Sequence, residues 1–344
     1  MNFKIILRNT IAKLLSIVGL TAPHRRGKAR LSIATFHRVL PEAERQIYPF
    51  PGLVVTPEEL DIFLSYLTRY FDCGALATQH ERYLNGEKTA RPLLAVTFDD
   101  AQYDNYSNAR PVLARHGVKA SFFVPVLAVE RQELLWHDRL GFAILAMLKQ
   151  GVAGQQILSQ LLDDAGMPEI VGVNVTSKIA QAAKDLTLEN RLRLVEALVA
   201  ASAPAKAPAF ARLMTFEELA VLAADGHEIG SHSMTHCMMP ECGDIELEYE
   251  VAESRKVLQG RIGQPISSFC YPNGNSDTRT AHAVAQAGYQ RAITTAWGNN
   301  GKSADKFQLR RYDMVSKHVQ DANGRFIPEL LAFRMSGYYP GLGS

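Results

Sequence analysis

Short, unbroken apolar runs recur along this chain, at residues 31–37, 92–98, 119–124, 227–231, 266–271, 289–295 and 309–315. Most are rich in Val, Ile, Phe and Ala without strict alternation, as in strands covered on both faces. Helical patterns lie between them. Thr56-Pro57-Glu58-Glu59 forms a capping box with proline at the first helical position, and it opens a helix with Leu60, Phe63, Leu64 and Leu67 on one face. Thr215-Phe216-Glu217-Glu218 is a second box, and Asp225-Gly226 stops the helix it starts. Strands alternating with helices predict an α/β chain built on a largely parallel sheet or barrel.

One stretch breaks the alternation. From about 130 to 211 the sequence carries helical patterns only, at 134–148, 155–162 and 188–200, before an Ala/Pro run over 200–208. This predicts a helical insertion between two core strands, covering one side of the site. The 344 residues, 47% hydrophobic and 21% charged, suit one large domain with additions or two smaller ones. Lysine and arginine number 37 against 35 acidic residues, a net +2, with no basic patch, so no nucleic-acid partner is expected. Cys73, Cys237, Cys242 and Cys270 are expected as free thiols, with a disulfide or an accessory metal ligand the alternative, the spacing of Cys237 and Cys242 being too loose for a zinc knuckle.

Residues 1–30 form a separate segment. Lys4, Arg8 and Lys13 interrupt the apolar residues of 1–20, which argues against a membrane-spanning helix and against a signal peptide. An amphipathic helix is expected, lying on a membrane surface or packed on the domain, followed by a basic linker over 22–30. The main domain is expected to occupy 31–344.

The polar residues gather at strand ends. His37 ends the first run, Asp99 and Asp100 the second, His232 follows the fourth, and Tyr271-Pro272-Asn273-Gly274 follows the fifth. In barrels of parallel strands, reactive groups collect at the C-terminal strand ends. Adjacent residues on a strand point to opposite faces, so one aspartate should face a metal and the other substrate and water. Helical spacing from His232 to His236 would put both imidazoles on one side of a turn. One carboxylate and two imidazoles leave positions open for water and substrate, which marks a catalytic divalent-metal site with a free carboxylate as base.

Thr97-Phe98-Asp99-Asp100 and His232-Ser233-Met234-Thr235-His236 resemble the first two motifs of the polysaccharide deacetylases of carbohydrate esterase family 4. The resemblance covers roughly 31–315 apart from the insertion. It implies a deformed (β/α) barrel of about seven parallel strands that removes acetyl groups from N-acetylated sugars with a divalent metal. Zinc is the first expectation, nickel or cobalt the alternatives. By motif, Asp99 is the general base, and Asp100, His232 and His236 are the metal ligands. Phe269-Cys270-Tyr271-Pro272-Asn273-Gly274 is similar to the third motif, so Tyr271, Pro272, Asn273 and Gly274 would shape the substrate groove and the Asn273 N–H would help hold the oxyanion. Cys270 stands where the family often has arginine, which leaves the base to another cation, Arg311 or its neighbour Arg310, which the sequence does not rank.

The histidine acid that the family needs late in the chain has only His318 as a candidate there, in a poor context. His37 fits instead, in an arrangement similar to the permuted deacetylases of poly-N-acetylglucosamine. Trp136, at the start of the insertion, could stack on a sugar, and Trp297 could flank the groove. His116, His227 and His282 are expected to be structural.

The resulting expectation is a metal-dependent deacetylase of an N-acetylhexosamine in a surface polysaccharide, its precursor or a lipid-linked glycan. The alternatives are another C–N hydrolase for cyclic amides or ureides, or a dead carbohydrate-binding protein. Reduced cysteines point to the cytoplasm, with peripheral contact at the inner membrane through 1–20; an exported glycan would argue for the periplasm.

Overall fold

The computed structural model describes residues 3–21, 30–202, 207–321 and 323–337; most of the basic linker, residues 22–29, lies outside them. Among the described residues, seven strands close into a barrel: β1 (Ser32–Phe36), β2 (Leu93–Phe98), β3 (Ser121–Val124), β4 (Glu228–Ser231), β5 (Ser268–Cys270), β6 (Arg291–Trp297) and β7 (Leu309–Asp313). Neighbours in chain order pair in parallel, and β7 returns to β1. The β1–β2 register runs from Ser32 opposite Leu94 to Phe36 opposite Phe98, so His37 and Asp99 leave the barrel side by side. The deformation is visible at β2. Its first half pairs with the short strand Asp72–Gly74, and its second half with β3.

The alternation of helix and strand follows the sequence pattern closely. Both capping boxes form: Thr56 Oγ1 accepts from the Glu59 N–H, and Thr215 Oγ1 from that of Glu218. The helix Pro57–Tyr70 buries Leu60, Phe63, Leu64 and Leu67 against the barrel wall. Inside the barrel Leu31, Ile33, Leu93, Ala95, Phe123, Cys270, Ile293 and Leu309 form a small closed core. With apolar partners both inside and outside the wall, the strands need no polar face, which is why their sequences do not alternate.

Between β3 and β4 the chain makes helices Val126–Arg131, Trp136–Lys149, Val152–Asp164, Val175–Ala183 and Leu188–Ala201. The helix Val175–Ala183 was not legible from the sequence. It is short, and it follows an exposed stretch that ends at Asn174 with φ +58°. The helices carry their own core, including Leu140, Ile144, Leu158, Leu162, Ile179, Leu194 and Leu198. Tyr48 and Phe50, from the segment after β1, complete it. Gly141 allows this docking, since a Cβ there would sit 2.5 Å from Pro49 Cβ and 2.7 Å from the Phe50 ring.

Strand boundaries differ from the expected runs by one or two residues, the third strand beginning at Ser121 and the fifth spanning only Ser268–Cys270. The first run stops at Phe36, and Arg38–Val39 turns away to pair with Val54–Val55 in a separate ladder. The sixth strand begins at Arg291 and continues to Trp297, and the seventh ends at Asp313. Apolar content marks burial rather than pairing, so run edges and ladder edges need not coincide.

The N-terminal helix, Phe3–Ile17, packs on the C-terminal helix Pro328–Met335. Ala12 is fully buried there, Leu15 packs on the core, and Arg8 donates to the Gln320 carbonyl. The opposite side leaves Leu14, Ile17 and Val18 more than half exposed. Among the described residues no helix is long and apolar enough to cross a membrane.

Candidate metal centre

Asp99 and Asp100 follow β2, but the two-face alternation of a strand does not continue through them. Asp100 has φ +72° and Ala101 φ +50°, so the backbone has already turned into the left-handed region. Such conformations cost of order 1–3 kcal/mol in a residue with a Cβ and persist only where the surroundings fix them. The turn aims both carboxylates into the barrel mouth, 1% and 5% exposed. The histidine pair is likewise not helical. His232 leaves β4, and a loop with φ +65° at Ser233 and +60° at His236 brings the second ring back beside the first, ring centres 4.8 Å apart.

Asp100 Oδ1 lies 3.5 Å from His232 Nε2 and 3.2 Å from His236 Nε2, and ligand atoms of all three residues fall within 4.8 Å of one another. Atoms bound to one small divalent ion at about 2.0–2.2 Å stand about this far apart. His232 donates Nδ1–H to the Cys270 carbonyl at 2.7 Å, which aims its Nε2 at Asp100. The donor set therefore fits a divalent cation. Burial disfavours the Asp100 carboxylate, but hydrogen bonds from His232 and His236 outweigh it and hold the group well below the usual carboxylate range. Burial pushes His236 down to about 4, leaving a neutral imidazole able to ligate.

Asp99 stands beside this group with different partners. Arg311, 4% exposed on β7, donates Nη1–H to Asp99 Oδ2 at 2.7 Å. His37 Nε2 is 3.7 Å from the same oxygen, and Cys270 Sγ also 3.7 Å. Burial would raise this carboxyl, yet the Arg311 guanidinium, then His37, hold it below its ordinary value. Asp99 Oδ1 is buried and has no hydrogen-bond partner among the described residues. Arg311 is thus the member of the pair that reaches the base; Arg310 instead lies against Gly298. His318 sits in the short turn Ser316–His318, held down to about 4 by burial.

The third segment is divided. Tyr271 and Pro272 are buried, and the Tyr271 ring packs edge-on against Phe269 at 5.2 Å. Asn273, at φ +56°, and Gly274, at φ +75°, form a half-buried turn, where a Cβ on Gly274 would overlap Thr295. Lys184 of the insertion donates to Asn273 Oδ1. Trp136 packs with the insertion's core, with the Arg191 guanidinium 5.4 Å from its ring centre. Trp297 stacks edge-on against Tyr312 at 5.0 Å. His227 is structural, accepting from the Ala120 N–H, while His116 pairs with Asp61 and His282 with Gln286 on the surface.

Sequence reasoning gave two residues no place at the metal centre, although His137 lies in the Trp136-His137-Asp138 stretch expected to line a groove. Glu250 accepts from the Met234 and Thr235 N–H groups at 2.8 and 2.9 Å and from the Thr235 hydroxyl at 2.6 Å, holding the histidine loop from a distant helix. His137 brings a third imidazole to within 5.8 Å of His236, ring centre to ring centre. Neither has a local motif that could have found it. The four cysteines are free, with Cys237 and Cys242 Sγ 3.1 Å apart.

Residues 174–292, which include both histidines and the 269–274 segment, match the family model described as polysaccharide deacetylase. Over those residues the chain is similar to that family. The Bacillus subtilis protein YxkH, named among polysaccharide deacetylases, is 25% identical over 117 residues, 34% of this chain and 42% of that protein. A Bacillus cereus peptidoglycan-N-acetylglucosamine deacetylase is 28% identical over 83 residues, 22% of this chain and 38% of the other. The matches thus span less than half the length of these curated deacetylases. Among solved structures, the Streptococcus pyogenes deacetylase PplD superposes with TM-score 0.59 at 16% identity, over 89% of this chain and 98% of that one. IcaB from Ammonifex degensii gives TM-score 0.52 at 16% identity, over 84% and 93%. Both likenesses are of fold.

Proposed function

We propose that this chain is a polysaccharide deacetylase, a metal-dependent hydrolase that removes the N-acetyl group from an N-acetylhexosamine. The observation that carries the proposal is the buried group Asp100, His232 and His236 beside an Asp99 that is tied to Arg311 and His37. The substrate would be a surface polysaccharide, its precursor or a lipid-linked glycan. The name of the Bacillus cereus relative supports an N-acetylglucosamine unit. Zinc is the first choice of ion, nickel or cobalt the alternatives.

Asp100, His232 and His236 would hold the cation. When bound, it supplies a Lewis acid for the acetamide carbonyl and lowers the pKa of water. Asp99 takes the proton from the attacking water through its unpaired Oδ1, while Arg311 fixes the other oxygen. The Asn273 N–H helps hold the developing oxyanion. His37, protonated, donates to the departing sugar nitrogen. One water is consumed, and acetate and the free amine are formed.

The exposed apolar side of the N-terminal helix supports peripheral contact with a membrane, and free cysteines support the cytoplasmic side of the inner membrane. A lipid-linked substrate would meet the enzyme there.

Acetate release from N-acetylglucosamine oligomers tests the proposal. The wild type should release acetate, stop after chelation, and resume on adding zinc, nickel or cobalt. Hydrolysis of a cyclic ureide in place of the oligomer, or oligomer binding without turnover, would replace this function by one of the two alternatives.

A further inference from the structure

The two imidazoles that face Asp100 are not equally supported. His232 gives its Nδ1–H to the Cys270 carbonyl at 2.7 Å. His236 Nδ1 is buried and has no hydrogen-bond partner among the described residues. Metal-binding histidines almost always give their second ring nitrogen to a carboxylate, a carbonyl or water, which fixes the tautomer and the ring angle. A buried donor without a partner is also unfavourable.

The ring next to His236 is His137, its centre 5.8 Å away and its plane inclined by 57°. His137 Nε2 is buried and also has no partner among the described residues. The acidic atom beside it, Asp138 Oδ1, is 3.8 Å away, beyond hydrogen-bond length, and already accepts from the Tyr48 hydroxyl at 2.7 Å. Two buried, unsatisfied ring nitrogens therefore sit on neighbouring imidazoles. With ring centres 5.8 Å apart, one water bridging the two nitrogens would satisfy both.

The His137 ring is held in this position. It lies edge-on to Phe50 at 6.0 Å and to Trp136 at 5.8 Å, at the first turn of the helix Trp136–Lys149. Asp138, fully buried behind it, is fixed by Tyr48 and Gln102.

We infer that His137 is the positioning partner of the metal-binding His236, and that the helical insertion thereby completes the metal centre. The insertion acts through this one nitrogen: it orients the His236 ring and sets which of its nitrogens carries the proton. The inference rests on the reading that Asp100, His232 and His236 hold a divalent cation.

Calorimetric titration of zinc into the metal-free full-length protein tests it, with no activity assay required. Three variants are compared: His137→Phe keeps a ring against Phe50 and Trp136 but removes the nitrogen, His137→Gln keeps a polar group, and Arg139→Ala alters the exposed side of the same helix. The expected result is an about 10–100-fold loss of zinc affinity in His137→Phe, a smaller loss in His137→Gln, and no change in Arg139→Ala. Affinity in His137→Phe equal to wild type, or an equal loss in folded His137→Phe and Arg139→Ala, overturns the inference. If His137→Phe does not fold, His137→Leu takes its place and is read by the same outcomes. Failure of the wild type itself to bind zinc, nickel or cobalt would overturn the metal reading instead.

Discussion

At the residue scale, a general base must remain charged in a dry site, and Arg311 is what allows Asp99 to do so. Removing the guanidinium leaves a buried carboxylate without its strongest partner, so the charged form is disfavoured and its pKa rises. Arg311→Met should therefore shift the acid limb of the pH–rate profile to higher pH, and cost about 3–5 kcal/mol of stability in denaturant unfolding. An unmoved acid limb would mean that another group orients Asp99. Asp99→Asn should lower kcat by about 10²–10⁴-fold while zinc titration shows affinity close to wild type. The identities of Asp99, Asp100, His232 and His236 were legible because each lies in a short motif at a strand end. How they are aimed was not. Strand alternation and helical spacing both suggested the right neighbours for the wrong reason, since left-handed backbone at Asp100, Ser233 and His236 does the aiming.

At the scale of elements, the loop carrying the histidines has no regular ladder and depends on Glu250 for its shape. Glu250→Ala leaves the buried Met234 N–H and the Thr235 N–H without their acceptor, each worth about 1–3 kcal/mol. A melting temperature several degrees lower and about tenfold weaker zinc binding are expected; Glu250→Gln, which keeps an acceptor oxygen, should lose less. Unchanged zinc affinity in Glu250→Ala would show that the loop holds itself. Glu250 was invisible in the sequence because it meets the loop only after the fold closes. The N-terminal helix packs through Ala12 and Leu15, as one of the two expectations had it, and leaves Leu14, Ile17 and Val18 outward. Leu14→Asp with Ile17→Asp should reduce co-sedimentation with anionic phosphatidylglycerol vesicles by at least about tenfold, with unchanged melting. Equal binding by the double variant would remove the case for membrane contact through this face.

For the molecule as a whole, the parallel barrel was legible because strands buried on both faces read as plain apolar runs. The small ladders, Arg38–Val39 with Val54–Val55 and Asp72–Gly74 beside β2, were not, since two or three residues carry no period. The wall also imposes a pH dependence on stability. His227 accepts from the Ala120 N–H and His80 from Arg291 Nε, so both rings are neutral when folded. Burial, assisted by Lys119 for His227 and by Arg291 for His80, lowers each from 6.5 to about 4. Between those values the unfolded chain binds protons that the folded chain does not. Their contribution is complete above pH 6.5 and is lost as pH falls toward 4. Melting curves should show this decline, with a shallower slope in His227→Gln; a flat profile would mean that neither ring is held neutral.

The position of the cation is the most direct measurement. In crystals soaked with zinc, anomalous scattering should give one strong peak about 2.0–2.2 Å from an Asp100 oxygen and from Nε2 of His232 and of His236, with Asp99 outside bonding range. A peak ligated by Asp99 in place of Asp100, or no peak between the two histidines, would contradict the account.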